Sequence, residues 1–250
     1  MADLLFPFAP IRHPHRLVVD GRIQLDAQEV EALRFRQVNV SEAFTLADSE
    51  GRFFRASLQS LGPKGGEALV YEKMERSPES PLSLTLVCAV LARQRMLLVA
   101  PKATELGVTR ILPVITEHSV QASGLEHEKA HAWPNAVIRA ARQCRRSSVP
   151  EVRTTRPLAE VLAGETWRDA QARFYLDDRA TATARLQPGP GSVCLAVGPE
   201  GGWSNAEREL LQRSGAAPLA LGGRVLRAET AVIAGIFLVQ YALGDLGVGE

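Results

Sequence analysis

Short alternating runs of apolar and polar residues dominate the chain up to about residue 75. A period of two is typical of half-buried strands, and the runs are separated by turn-forming residues such as Asp48–Gly51. The pattern predicts one helix at about Asp26–Arg34 and a small β-barrel-like domain over residues 1–75. The predicted strands are Ala43–Ala47, Arg52–Gln59 and Ala68–Lys73.

The pattern changes after Arg76–Pro81, RSPESP, whose two prolines predict a linker over residues 76–81. From residue 82 to 250, apolar strands alternate with helical periodicity, which favours a mostly parallel sheet covered on both faces. The predicted strands are Leu82–Val90, Thr109–Ile115, Arg173–Leu176, Val193–Val197 and Leu219–Leu221. The predicted helices are Arg93–Leu106, kinked or split by Pro101; Glu126–Arg146, disturbed by Pro134; one that starts at a capping box, Ser204–Glu207; and Ala231–Leu243.

Composition is that of an ordinary globular protein, with 46% hydrophobic and 23% charged residues among 250. The net charge is +1, split as −2 over residues 1–75 and +3 over residues 76–250, so any nucleic-acid contact would need a local patch. The three cysteines, Cys88, Cys144 and Cys194, form no C-x-x-C pair and are expected to be free thiols, with Cys88 and Cys194 in apolar runs. The N-terminus lacks signal-peptide order and Ala231–Leu243 is short for a membrane span, so we expect a cytoplasmic protein without membrane contact.

Two glycine-bearing segments near the C-terminal end are the most informative feature. Val193–Gly202, VCLAVGPEGG, and Leu221–Ala231, LGGRVLRAETA, each read as a strand, a loop and the start of a helix. Glycine accepts positive φ and lets a ligand approach the main chain closely. GPEGG alone is more typical of a tight turn, but the pair at this spacing favours a pocket for a small polar ligand. Neither loop matches G-x-G-x-x-G or a P-loop.

The motifs of the C-terminal part resemble those of the bacterial ribosomal-RNA uridine-N3 methyltransferases, a family of the SPOUT superfamily. The resemblance covers about residues 80–245. It is carried by KATELGV at 102–108, Ile111–Val114, Gln143, Val149–Glu151, GPEGGWS at 198–204 and LGGRVLRAET at 221–230.

The resemblance implies a trefoil-knotted α/β domain preceded by a small PUA-like β-barrel that positions RNA. It implies methyl transfer from S-adenosylmethionine to N3 of a uridine in small-subunit ribosomal RNA, by a homodimer whose helices close over the cofactor and which needs no metal. The implied cofactor-binding residues are Leu176, Gly198, Pro199, Glu200, Gly201, Gly202, Leu221, Gly222, Leu226, Thr230 and Ala231.

This chain departs from the family pattern in its RNA-facing motifs. Arg142–Arg146 reads RQCRR where the family usually has Glu-Gln-Ser-Gly-Arg, and residues 32–40 lack the usual Val-Leu-Arg…Gly-Asp pattern. Pro101 interrupts a helix that is usually free of proline. Two alternatives therefore stay open: the same enzyme class acting on another RNA position or atom, and a catalytically silent RNA-binding or assembly factor.

Two residues of the second loop are candidates for catalysis. Arg227 is expected to stabilise negative charge on a uracil oxygen, because a guanidinium is a fixed fork of donors; a phosphate anchor or an intersubunit ion pair is the alternative. Glu229 is a candidate general base, although a carboxylate that favours the start of the next helix is an equal interpretation. Glu200 either lines the pocket or serves the helix that starts at Ser204.

Arginines supply the candidate RNA contacts. Arg139, Arg142 and Arg146 recur at helical spacing, which predicts a basic stripe that is either solvated or in contact with phosphates. The histidines show no metal-ligand spacing, so no metal site is predicted. The full candidate set for RNA is Arg12, Arg16, Arg34, Arg36, Arg139, Arg142 and Arg146.

Overall fold

The computed structural model describes residues 4–180 and 183–247, with the side chain of Arg93 left aside. The chain forms two compact units. The described part of the N-terminal unit comprises residues 4–79 and 137–150, and that of the C-terminal unit comprises residues 80–136 and 151–247. Segment 137–150 thus belongs with the first unit, whereas the predicted domain boundaries place it in the second. Those boundaries, 1–75, 76–81 and 82–250, stay a prediction.

An antiparallel sheet of four strands forms the N-terminal unit, in the order β1-β4-β3-β2. Its helix α1 (Ala27–Phe35) confirms the helix predicted at about Asp26–Arg34. The helix begins with a capping box, in which Asp26 and Glu29 satisfy each other's backbone amides. Leu33 of α1 is fully buried against the sheet, in one core with Leu46 and Leu58. The strands are β1 (Arg22–Leu25), β2 (Ala43–Ala47), β3 (Phe53–Leu61) and β4 (Gly66–Lys73).

Glu79 fastens segment 146–148 inside this unit. Its carboxylate accepts hydrogen bonds from the backbone amides of Ser147 and Ser148, both at 2.8 Å, and from Arg146 Nη2 at 2.9 Å. Both members of the Arg146–Glu79 ion pair are buried. Multiple donors offset the cost of burying the carboxylate, which is why the segment folds with the N-terminal unit.

A seven-stranded parallel sheet lies at the centre of the C-terminal unit. The strand order is β11-β9-β10-β5-β6-β7, with β8 also paired to β6, and this confirms the predicted α/β class. The strands are β5 (Ser83–Ala89), β6 (Val108–Ile115), β7 (Glu151–Val152), β8 (Arg156–Pro157), β9 (Ala172–Leu176), β10 (Ser192–Val197) and β11 (Ala217–Leu219).

Helices cover both faces of this sheet. One face carries a core around Val87, Tyr175 and Cys194, on which Leu158, Trp167 and Leu211 of three helices pack. The other face receives the helices that follow β5 and β11, which also pack on each other. The helices are α2 (Arg93–Glu105), α3 (Trp133–Gln143, continuing into the N-terminal unit), α4 (Leu158–Ala163), α5 (Glu165–Arg168), α6 (Asn205–Arg213) and α7 (Ala228–Leu243).

Three sequence predictions on these elements are wrong in whole or in part. Helix α2 is continuous through Pro101, so the predicted split does not occur, because the buried side of the helix, with Val99 and Ala103, packs against the core. The alternative of a kink at Pro101 stays a prediction. The predicted helix 126–146 is confined to α3, since Pro134 lies in the first turn, where a helix needs no amide donor, and Arg145 has a left-handed φ of 64°. The last strand is Ala217–Leu219, so Ala220 and Leu221 already belong to a loop.

A buried glutamine near the C-terminal end of α7 holds this helix against the segments around Ser80 and Leu106. Gln240 is fully buried, accepts a hydrogen bond from Ser80 Oγ at 2.9 Å and donates to the Leu106 carbonyl at 3.0 Å. Gly107 has a φ of 82°, and a Cβ there would lie 2.6 Å from Nε2 of Gln240. The predicted stop at Gly107 therefore also makes room for the glutamine.

Candidate functional site

Three neighbouring parallel strands end at the same edge of the sheet. The loops that follow Leu176 of β9, Val197 of β10 and Leu219 of β11 enclose a cavity of about 400 Å³. Ligands of open α/β sheets bind at the carboxyl ends of the strands, and the volume suits a small molecule. The two glycine-bearing segments lie together here, as the sequence pattern predicts.

The loop after β10 is shaped by its glycines and by Trp203. Gly198 faces the indole, and a Cβ there would lie 3.1 Å from the ring. Trp203 is buried and donates its Nε1–H to the Leu176 carbonyl at 2.9 Å, which joins the loops after β9 and β10. Gly202 has a φ of 70°, and its carbonyl lies 3.2 Å from Nδ1 of His118.

The loop after β11 leads into α7. Gly222 has a φ of 95°, a conformation that only glycine adopts without strain, whereas Gly223 does not share it. Val225 is 85% exposed although it lines the cavity, so one wall is open to solvent. Arg227 is the N-cap residue of α7 and also lines the cavity.

Most of the residues predicted for a cofactor line this cavity. Thr230 does not, although it stands one position before the lining residue Ala231. Those that do are Leu176, Gly198, Pro199, Glu200, Gly201, Gly202, Leu221, Gly222, Leu226 and Ala231. Their role in binding stays a prediction.

Charged residues that the sequence reasoning missed also line the cavity. Asp177, directly after β9, is buried and accepts from Arg208 Nε at 3.1 Å. Arg208 belongs to α6, so this pair connects the loop after β9 to the helix after β10. The sequence contains a signal for Asp177, because a carboxylate directly after an apolar strand indicates a position at the edge of the sheet. It contains none for Arg208, which resembles any arginine on a helix surface.

Arg95 bridges two of the motif carboxylates. It lies in the first turn of α2, lines the cavity, and forms ion pairs with Glu200 and with Glu229, the latter at 3.3 Å between Nε and Oε2. The Glu229 side chain is 15% exposed, and its Oε2 is buried without a hydrogen-bond partner in the described part of the chain. One guanidinium thus compensates two carboxylates on different segments.

Comparison with known proteins gives the family. The model of the RNA methyltransferase domain matches residues 78–240. The chain belongs to this family. It is 33% identical over 220 residues to the ribosomal RNA small subunit methyltransferase E of Buchnera aphidicola (subsp. Schizaphis graminum), covering 86% of this chain and 87% of the relative. It is 31% identical over 239 residues to the protein of that name from Mycobacterium tuberculosis, covering 92% and 86%.

Solved structures of RNA methyltransferases share the fold. The ribosomal RNA small subunit methyltransferase E of Neisseria gonorrhoeae, bound to S-adenosyl methionine, has a TM-score of 0.68 and 30% identity, covering 95% of this chain and 99% of that one. A methyltransferase of Legionella pneumophila in complex with bound cofactor SAM has a TM-score of 0.65 and 31% identity, covering 94% and 98%. The family resemblance seen in the motifs is confirmed.

The two catalytic candidates lie in different surroundings. Arg227 is exposed at the cavity, where it can reach a substrate. Glu229 stands outside the cavity lining, in the first turn of α7, with its carboxylate beside Arg95. This placement favours the interpretation that Glu229 serves the helix start and an ion pair over that of a general base.

The prediction that Arg139, Arg142 and Arg146 form one basic stripe is wrong for Arg146. Arg146 lies beyond the end of α3 and is buried against Glu79, so the three arginines do not share a helical face. Arg36 is buried too; it donates to backbone carbonyls such as that of Ser147 at 3.0 Å, and burial lowers its pKa to about 10. Arg36 and Arg146 are therefore not at the surface where RNA could meet them, because their guanidinium groups bind partners inside the N-terminal unit.

The other candidates remain at the surface of the N-terminal unit. Arg12 and Arg139 are exposed, and Arg16 is exposed beside Glu50 at 2.6 Å. Arg34 donates to the Gly62 carbonyl at 2.5 Å, and Arg142 pairs with Glu42 at 2.7 Å. These five stay candidates for RNA contact.

The described residues also bear on metal binding, membrane contact and the cysteines. In residues 4–180 and 183–247, no group of three or more histidine, cysteine or acidic side chains is placed to hold a metal ion. Over the same residues, no helix has the length and apolar character needed to cross a membrane. Cys88 and Cys194 are free and buried, as expected, and burial raises the pKa of each thiol to about 12.

Proposed function

We propose that this protein transfers a methyl group from S-adenosylmethionine to N3 of a uridine in small-subunit ribosomal RNA. The observation that carries the proposal is the cavity at the carboxyl edge of β9, β10 and β11, lined by both glycine motifs. Relatives with bound S-adenosylmethionine and relatives named for small-subunit ribosomal RNA support it.

The residues present suit this cofactor. Gly198 and Gly222 leave main-chain groups accessible, where a Cβ would meet the indole of Trp203 or strain the backbone. Leu176, Leu221 and Leu226 supply apolar walls for an adenine ring. We assign the cofactor to these two loops and to the end of β9.

The chemistry asks little of acid–base groups. When bound, S-adenosylmethionine supplies a methyl group activated by its sulfonium. The protein must orient the uracil and stabilise negative charge on its oxygens as N3 loses its proton. Arg227 is the candidate for that task, because its guanidinium is permanently charged and stands at the cavity. The geometry offers Glu229 no direct access to substrate from the cavity lining.

The proposed architecture extends the observed one. We propose that residues 1–75 act as a PUA-like barrel that positions RNA, that 76–81 link it, and that 82–250 form a trefoil-knotted methyltransferase domain. One feature supports a knot. In the sheet, β9 lies between β10 and β11, so the segment that connects β10 to β11 passes over β9. The chain then returns as α7, which packs on β10 and α2. Arg12, Arg16, Arg34, Arg139 and Arg142 are the proposed phosphate contacts.

We propose a homodimer built on α7, in the cytoplasm with the ribosomal substrate. Phe237 and Tyr241 are about half exposed and stack at a centroid distance of 5.9 Å on this otherwise apolar helix. Leu98 of the neighbouring α2 is exposed as well. Paired apolar side chains of this kind are typical of a covered interface.

Ribosomal RNA from a strain that lacks the gene tests the reaction. Mass spectrometry should show the loss of one 3-methyluridine from the small-subunit RNA and its return on complementation. Loss of a different methylated nucleotide would support the enzyme class and contradict the N3 assignment. Calorimetry with S-adenosylmethionine and its demethylated product is the second arm: no binding at submillimolar concentration would favour a silent RNA-binding factor.

A further inference from the structure

The first turn of α2 breaks a local rule of helix stability. The positive end of the helix dipole favours carboxylates there, yet the turn contains Arg93 and Arg95, no acidic residue and no capping side chain at Ala92. Residues that contradict local preferences are expected at functional sites, where another gain compensates the loss. For Arg95 the compensation comes from Glu200 and Glu229.

Glu229 depends on this arginine. Its side chain is largely buried, and Arg95 Nε lies 3.3 Å from its Oε2. An ionised carboxylate left unpaired in such a place is strongly unfavourable. Removing the guanidinium would therefore leave the Glu229 carboxylate without its counter-ion and free to move from its present position.

The two carboxylates belong to the two segments that build the cavity. Glu200 lies between Gly198 and Gly202 in the loop after β10, and Glu229 lies two residues after Arg227 in the first turn of α7. A guanidinium is planar and rigid, so a carboxylate on each side has a fixed separation. The contact therefore sets the distance between the glycine loop and the turn that carries Arg227.

We propose that Arg95 is a positioning residue of the methyl-transfer site, which acts by holding Glu200 and Glu229 at a fixed spacing. The inference rests on the proposed function and adds to it a residue of α2, outside both glycine motifs. It also gives Glu229 a role different from that of a base.

The test compares Arg95→Ala, Arg95→Lys, Glu229→Gln and the double variant Arg95→Ala/Glu229→Gln with the wild type. Arg213→Ala is the matched control, since Arg213 pairs with Glu209 on the exposed side of α6. The readouts are kcat, the KM for ribosomal RNA, the Kd for S-adenosylmethionine and the Tm. A purely structural role would lower the Tm and leave kcat of the folded protein unchanged.

Arg95→Ala is expected to lower kcat at least tenfold, and Arg95→Lys to fall between it and the wild type, because lysine keeps the charge without the fork. The double variant should be no worse than Arg95→Ala alone, as expected for residues that act as one unit. Arg213→Ala should match the wild type.

Wild-type kcat and Kd in Arg95→Ala, or losses that multiply in the double variant, would overturn the inference. If Arg95→Ala does not fold, Glu229→Gln decides: at least a threefold loss of kcat supports the inference, and unchanged kcat overturns it. A wild type that neither binds S-adenosylmethionine nor methylates RNA contradicts the proposed function instead, and an active wild type beside an unaffected Arg95→Ala contradicts this inference alone.

Discussion

Two residues apart in the sequence, Arg227 and Glu229 have different chemical surroundings. Arg227 is exposed at the cavity as the N-cap of α7, whereas the Glu229 side chain is largely buried beside Arg95. The sequence presents both as polar groups in one motif. At the scale of single residues, the position of each side chain relative to the cavity decides which of the two can meet a substrate.

Replacing Arg227 by alanine should lower turnover by two or more orders of magnitude and leave the affinity for S-adenosylmethionine nearly unchanged. The reason is that charge on the uracil oxygens develops only as the proton leaves, so the contact is strongest in the transition state. Single-turnover kinetics and calorimetry measure the two effects separately. Equal losses in both would show that Arg227 merely holds the cavity together.

Gly222 and Gly223 form a matched pair for testing backbone conformation. An alanine Cβ meets nothing within 4 Å at either position, but only Gly222 has a left-handed φ, of 95°. Left-handed conformations cost alanine about 1–2 kcal/mol, so Gly222→Ala should weaken S-adenosylmethionine binding about tenfold. Gly223→Ala should bind like the wild type. Identical affinities for the two variants would contradict a role of the loop conformation.

At the scale of elements, the central strands and α7 hold the site rigidly. Strand β5 is buried along its length and β10 is buried from Val193 onward. Helix α7 packs so closely on β9 and β10 that a Cβ on Gly235 would lie 2.8 Å from Leu176 and 3.3 Å from Leu195. This close packing places Leu176 at the cavity. The strands and the helix are therefore closely packed below the cavity, whose lining comes mainly from the loops that follow them.

The thiols of β5 and β10 report on that packing. Burial raises the pKa of Cys88 and Cys194 from 9.0 to about 12, so at pH 8 their thiolate fraction is about a thousandfold lower than that of an ordinary thiol. Reagents that attack thiolates should label Cys144 alone in the native protein, and all three cysteines after denaturation. Rapid native labelling of Cys88 or Cys194 would contradict the described packing.

Gln240 tests how α7 is fastened. Gln240→Leu removes the partners of Ser80 Oγ and of the Leu106 carbonyl, and unsatisfied buried groups cost about 1–3 kcal/mol. The free energy of unfolding from urea titration should fall by that amount. Gln187→Leu, at an exposed position, should leave it unchanged. A loss in both variants would point to a general effect of the substitution.

At the scale of the whole molecule, the two units carry different features. The C-terminal unit contains the cavity and both glycine motifs, and the N-terminal unit has an antiparallel sheet with exposed arginines. Segment 137–150 belongs to the N-terminal unit through Glu79. The chain therefore visits the first unit twice, which a reading by consecutive segments does not reveal.

The exposed aromatic pair on α7 predicts the oligomeric state. Phe237→Glu/Tyr241→Glu should yield a particle of about 27.1 kDa, the mass of one chain, whereas the proposed dimer predicts twice that mass for the wild type. Burying two carboxylates in an apolar interface is too costly for the dimer to form. Light scattering after size exclusion measures this. Val40→Glu, at a comparably exposed apolar position of the N-terminal unit, is the control.

The sequence by itself determined the long strands and helices, the α/β class with its parallel sheet, and the two loops of the cavity, whereas the short elements β1, β7, β8, α4 and α5 were not predicted. The predicted features follow from local causes: apolar periodicity, the capping boxes at Asp26 and Ser204, and glycines that admit positive φ. The family motifs lie in the same loops, so the sequence already identified residues that line the cavity. Thr230 is the one candidate cofactor residue that does not line it.

Only the tertiary structure decided which charged side chains face the cavity and which are buried and bonded to partners inside the fold. Arg146 and Arg36 resemble surface arginines in the sequence, yet both are buried and bonded, whereas Arg95 reaches the cavity from the first turn of α2, outside every motif that the sequence singles out. Ion pairs join residues more than a hundred positions apart, such as Arg95 and Glu200. Periodicity carries no information about such distant partners, because it reports which face of an element is buried and not what lies opposite.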